Sequence, residues 1–207
     1  MNKNNSPYTA ALTGGGFLFE ETLTLLPLLQ AENSEELLQE EKVNNNLLHI
    51  NAETARSRNI HEIKRRYQTM PPSFWNDFKE MSDSDKVIAL FYVMQKTYKM
   101  CFDSHVNITL RKWKSIAESI DKEDLMMEFN EISAKDEFVD SWSDSTKGKV
   151  ASAYLTILRK VGMLTNDNRL HSLVCTNYDY YLAKGEPWFL EACLLQPYEI
   201  DNIKKSM

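Results

Sequence analysis

The sequence is poor in the residues that mark secreted, membrane-bound or turn-dense proteins. It has only three cysteines, Cys101, Cys175 and Cys193, too few and too scattered for a disulfide framework. They read as reduced, buried thiols of a cytoplasmic protein. Glycine and proline are scarce, six of each in 207 residues, which excludes collagen-like, linker-like and turn-dense all-β chains. Long apolar runs are missing too. The most apolar stretch, Phe17 to Leu29, is interrupted by Glu20, Glu21 and Pro27. It falls short of the roughly 20 apolar residues that span a bilayer, so no membrane association is expected. Met1 to Ser6 is polar and asparagine-rich, without the basic and apolar regions of a secretory signal.

The motifs of catalysis and metal binding are equally thin. His61-Glu62-Ile63-Lys64-Arg65 begins like a zinc-protease helix, but Arg65 stands where the second histidine belongs. His49, His105 and His171 have no Cys or His partner at ligand spacing and read as surface or hydrogen-bonded core residues. Gly14-Gly15-Gly16 is followed by Phe-Leu-Phe rather than Gly-Lys-Ser/Thr, so it is no phosphate loop. No nucleophile elbow and no Cys–His pairing is found. No cofactor, no metal and no enzymatic activity are expected.

What remains is helical periodicity, with 43% hydrophobic and 26% charged residues, an ordinary globular balance. The spacing predicts helices over 17–30, which Pro27 kinks or ends, and over 34–43, with Ser34 as N-cap. Another covers 52–68, with Asn51 as N-cap, closed by Pro71-Pro72. A unit at 73–78 begins with Phe74, Trp75 and Phe78. A core helix over 86–102 is capped by Ser82 to Asp85 and carries Val87, Leu90, Phe91, Met94, Tyr98 and Cys101 at three- and four-residue spacing. Further helical segments are expected at 109–120 (with 106–110 open to extended structure), 121–129, 135–142 and 146–161. Gly162 is a C-cap candidate and 163–170 a small hairpin or loop. A last helix should run from Pro187 to Pro197. The expected fold is an all-α compact multi-helix bundle, in an N-terminal region (1–72), a central core (73–132) and a C-terminal region (133–207).

The formal net charge of -6 conceals segregated blocks. Glu20 to Glu41 holds seven acids and no lysine or arginine, and Glu118 to Asp144 holds ten acids against Lys122 and Lys135. Basic residues collect at Arg56 to Arg66, Lys96 to Lys114 and Lys147 to Lys160. In the central block, Arg111-Lys112-Trp113-Lys114, Trp113 reads as core with flanking cations. The two outer blocks each lie on a helix preceded by a shorter helix and a polar turn. That is the outline of a helix-turn-helix, whose second helix enters the major groove. The candidate DNA-binding residues are Thr54, Arg56, Arg58, Lys64, Arg65 and Arg66 in the first unit, and Ser145, Thr146, Lys147 and Lys149 in the second. Helix N-termini suit phosphate through free N–H groups and the macrodipole, and lysine neutralises phosphate.

Several segments resemble the BrxA family. They are Tyr8-Thr9-Ala10-Ala11-Leu12-Thr13-Gly14-Gly15, Asn46-Leu47-Leu48 with Thr54-Ala55-Arg56, Ser143-Asp144-Ser145-Thr146 with Lys149, and Gly162-Met163-Leu164. Their order and spacing extend the resemblance from Tyr8 to Leu195. It implies a small, non-catalytic, DNA-associated component of BREX bacteriophage-exclusion systems, acting with other BREX components. Two reader helices in one chain suit a monomer bound to double-stranded DNA. Two other readings are a protein-interaction adaptor whose acidic segments dock a basic partner, and an RNA-binding helical protein.

Overall fold

The coordinates are a computed structural model and describe residues 5–115 and 118–206. Every regular element among them is helical. The β-type pairings among the described residues are isolated antiparallel bridges, Leu164 with Leu170 and Ser119 with Arg169. Of the hairpin or loop expected at 163–170, the chain forms a turn closed by the Leu164–Leu170 bridge, with Thr165 N–H donating to the Arg169 carbonyl at 2.9 Å.

The first helix, α1 (Leu12–Gly15), is a single turn holding two of the three consecutive glycines. Gly16 and Leu18 then take positive φ, reversing the chain into α2 (Phe19–Leu29). Pro27 lies inside α2, which stops two residues later at Leu29. Helix α3 (Ser34–Asn44) has Asn33 rather than Ser34 at its N-cap position, without a side-chain capping hydrogen bond, and left-handed Asn45 ends it. Helix α4 (Glu53–Thr69) starts two residues after Asn51, with Ala52 at the N-cap. Leu25, Leu29, Leu38, Ile60 and Ile63 join α2, α3 and α4 in a small apolar cluster of their own.

Pro72 opens α5 (Pro72–Glu80), whose Phe74, Trp75 and Phe78 enter the main core. Ser82 caps α6 (Asp83–Thr97), accepting the Asp85 N–H. Residues Ile88 to Met94 of α6 are buried without interruption, so this helix is surrounded on all sides. The single core helix expected to residue 102 breaks at extended Tyr98 into α6 and α7 (Lys99–Ser104). A π-helical turn, His105–Thr109, follows and leads into α8 (Leu110–Trp113); residues 106–110 are therefore helical rather than extended. Residues 116–117 of the expected 109–120 segment lie outside the described residues.

A reciprocal capping box between Asp121 and Asp124 opens α9 (Lys122–Ser133), and Asp136 caps the short α10 (Glu137–Asp140). Ser143 caps α11 (Asp144–Lys160), and Gly162 follows at φ 83° as the left-handed stop. α9 packs on both α10 and α11. Three helices finish the chain: α12 (Tyr178–Ala183), α13 (Trp188–Ala192) and α14 (Pro197–Ser206). The sequence reading missed α12 and α14 and drew α13 too long. α12 and α13 are short, and Tyr178, Asp179 and Tyr180 carry no apolar stripe.

All three cysteines are free and buried. His105 is a core residue, its Nδ1 3.0 Å from the Tyr154 hydroxyl and its Nε2 2.9 Å from the Ala192 carbonyl. Burial lowers its pKa to about 4.

Candidate nucleic-acid interface

Helix α1 packs against both α4 and α11, the two helices that carry the outer basic blocks. Glycine permits this approach. A Cβ on Gly14 would stand 2.8 Å from Cδ of Arg58, so the arginine stem lies directly on the glycine backbone. On the other side Thr13 lines a cavity of about 440 Å3 together with Lys122, Ser145, Lys149 and Ser152. A second cavity, of about 460 Å3, continues past Gly15 and Gly16 to Thr156 and Lys160 of α11. The turn α1 is thus the seam between the two basic helices.

On α11 the seam side is chemically uniform. Ser145, Lys149, Ser152, Thr156 and Lys160 are all exposed and fall within an arc of about 80° at 100° per residue. They extend about 22 Å along the helix at 1.5 Å per residue. The opposite face buries Val150, Tyr154, Ile157 and Leu158. Arg58, Lys122, Lys149 and Lys160 form no ion pair among the described residues. Asp144, Glu20 and Glu21 also line these cavities.

Other candidate residues are occupied elsewhere. Arg56 is only 6% exposed and turns inward. Its Nε donates to the Lys42 carbonyl at 2.7 Å and its Nη1 to the Ile50 carbonyl at 2.6 Å, holding the end of α3. Arg66, 1% exposed, donates to the carbonyls of Gly16 and Phe17 at 2.6 and 2.7 Å and to the Tyr98 hydroxyl at 2.9 Å. That hydroxyl in turn donates to Glu62 at 2.8 Å. Desolvation raises the Tyr98 phenol to about 12, Arg66 pulling it down and Glu62 pushing it up. Lys147 is 6% exposed. Of the candidate DNA-binding residues, Arg56, Arg66 and Lys147 are therefore buried, and Arg56 and Arg66 spend their donors on internal carbonyls.

Lys64 is paired with Glu35 of α3 at 2.5 Å. Arg65 lies over the Tyr98 ring, 5.3 Å from its centroid. Thr146 belongs to the α11 cap, its N–H donating to Ser143 Oγ at 3.2 Å. Thr54, Arg58, Ser145 and Lys149 remain exposed. The hydroxyl-and-lysine stripe of α11 is present in the linear spacing, but Ser152 and Thr156 carry no charge and leave no mark in the charge blocks. Lys122 could not be found that way. It belongs to an acidic block and reaches α11 only through tertiary packing, its Nζ 3.1 Å from where a Gly148 Cβ would be.

His61 is exposed and Glu62 is engaged by Tyr98, so the truncated zinc-protease pattern assembles nothing. No group of three or more His, Cys, Asp or Glu side chains among the described residues is placed to hold a metal. No helix among them is long and apolar enough to cross a membrane.

The architecture defines an all-α protein of a kind already seen in a crystal. The crystal structure of an uncharacterized protein from Magnetospirillum magneticum superposes with a TM-score of 0.76 at 21% identity, covering 91% of this chain and 98% of that one. That likeness concerns the fold. No curated protein matches the sequence. The BrxA family profile matches residues 6–177, and the chain belongs to the BrxA family. Membership implies a component of BREX defence.

Proposed function

We propose that this BREX component is non-catalytic and binds double-stranded DNA along the α4–α1–α11 seam. The observation that carries the reading is the row of exposed hydroxyls and of cations without ion pairs on one side of α11, with Arg58 brought beside it across Gly14. Cations without acidic partners lose little by exchanging water for phosphate, and binding is driven by counterion release. Serine and threonine hydroxyls suit phosphate oxygens and carry no base code, so contacts are mainly to the backbone. In this reading α4 and α11 are the second helices of helix-turn-helix-like units, with α9 giving α11 its main support. Thr54, Arg58, Ser145 and Lys149 stay in the interface, joined by Thr13, Lys122, Ser152, Thr156 and Lys160.

The test is a polarisation titration of labelled duplex with Arg58→Glu/Lys149→Glu. Affinity should fall at least tenfold with the circular dichroism spectrum unchanged. Undiminished affinity would sink the interface. Preferential competition by structured RNA would favour an RNA-binding role instead. A second reading, an adaptor for basic proteins, draws on a cavity of about 430 Å3 that includes Asp103, Glu128, Glu131 and Asp136. Capture of another BREX component without duplex binding at low salt would favour it.

A further inference from the structure

A second concave site lies between the α4–α5 junction, α6 and α12. Its cavity of about 270 Å3 begins at Thr69, the end of α4 that is 11 residues, or about 16 Å, beyond Arg58. It is therefore separate from the seam and rests on none of the DNA reading.

The floor is aromatic and fixed. Phe74, Tyr92 and Tyr181 are buried, with ring centroids 6.1 Å apart for Phe74–Tyr92 and 5.3 Å for Tyr92–Tyr181. Tyr180 forms a wall, 6.5 Å from Phe74, and its hydroxyl donates to Asp77 at 3.1 Å, which locks the ring. Two cations stand at the rim. Lys96 Nζ is 5.8 Å from the Tyr92 centroid, and Lys184 Nζ is 5.2 Å from the Tyr180 centroid. Their acidic neighbours hold them there, Glu186 on Lys96 at 2.7 Å and Asp77 on Lys184 at 3.4 Å.

Rigid rings, two of them with a lysine ammonium over them, match a planar ring system that carries a negative charge. Base-on-aromatic stacking tolerates any base, because every base has a π-face. The volume is just below the roughly 300–1,000 Å3 of pockets that enclose drug-sized ligands, so it accepts one ring system. We propose that this pocket binds a mononucleotide, with the base stacked on Tyr180 and the Phe74–Tyr92 floor and the phosphate at the Lys96–Lys184 rim. The lysines exchange part of their contact with Glu186 and Asp77 for the phosphate oxygens.

Isothermal titration of the full chain with AMP, GMP, CMP and dTMP, each beside its nucleoside, tests the site. One saturable site is expected, with nucleosides binding more weakly than their monophosphates. Tyr180→Ala should weaken binding at least about fivefold, the lower range for loss of one stacked base. Tyr180→Phe should retain it, and the half-exposed Lys184→Glu, which leaves the core untouched, should weaken it similarly. Four results overturn the proposal. They are the absence of saturable binding at millimolar nucleotide, affinity unchanged in Lys184→Glu, equal affinity for nucleoside and nucleotide, and binding of N-acetyl-tryptophan amide without binding of nucleotides.

Discussion

Arg58 and Arg66 sit on the same helix eight residues apart, yet they face different physics. Arg66 satisfies two backbone carbonyls and a tyrosine hydroxyl inside the protein. Arg66→Met should cost about 3–5 kcal/mol, because it strands the buried Gly16 and Phe17 carbonyls and the Tyr98 hydroxyl that the guanidinium satisfies. Arg58→Met should stay within about 0.5 kcal/mol, since an exposed side chain without hydrogen bonds contributes little. Urea unfolding of the two variants checks the contrast. His105 gives a second prediction at this scale. Its folded pKa, about 4, lies below the ordinary value of 6.5. The unfolded chain therefore takes up the proton first as pH falls, and stability is lost between about pH 6.5 and 4. Above pH 6.5 the stabilisation is complete. The full loss is roughly 3 kcal/mol from this group, at 1.36 kcal/mol per pH unit. Denaturant unfolding of the wild type between pH 7.5 and 4.5 should slope accordingly, and His105→Gln should flatten that slope.

At the scale of elements, α11 is defined by its ends as much as by its apolar face. Ser143 accepts the Thr146 N–H, and Gly162 turns the chain away in the left-handed region. Ser143→Ala should destabilise by about 1 kcal/mol, the usual loss of an N-cap, read as a lowered midpoint in thermal unfolding. The α1 turn supports a different test. In Gly14→Ala the new methyl meets the Arg58 stem, a flexible side chain that can move aside. The fold should survive, with duplex affinity reduced by less than in Arg58→Glu. A Gly14→Ala protein with unaltered duplex affinity would separate Arg58 from the interface. Helix ends at Ser82 and Gly162 were legible in the sequence because capping is local chemistry. The break at Tyr98 was not, since Val87 to Cys101 keeps its three- and four-residue spacing through it. There the Tyr98 hydroxyl bridges Arg66 and Glu62, two residues of a helix more than thirty positions earlier.

For the whole molecule, the net charge of -6 is a poor guide to partners. Acidic blocks and a basic seam coexist, and local potential decides which ligand is attracted. The salt dependence of duplex binding measures this directly. Four cations at the seam predict a slope of log affinity against log salt of about -3 to -4, and Arg58→Glu/Lys149→Glu should reduce its magnitude by about 2 or more. A wild-type slope near zero would contradict a phosphate-dominated interface.

The helical class, the caps at Ser82 and Gly162, the buried thiols and the family resemblance can be read from the sequence. Each depends on short-range patterning, in which apolar spacing, capping side chains and glycine placement act within a few residues of the chain. It also located the basic helices, since charge blocks are visible in one dimension. Which cations are exposed is settled by packing. Arg56, Arg66 and Lys147 look like Arg58 and Lys149 in a linear reading, with the same residue types at neighbouring positions. Burial separates them. A cation on the core side of its helix is costly to desolvate and needs internal acceptors, and Arg56 and Arg66 find them in distant carbonyls. Bringing Lys122 to the seam is likewise a matter of α9 packing on α11, which no local pattern encodes.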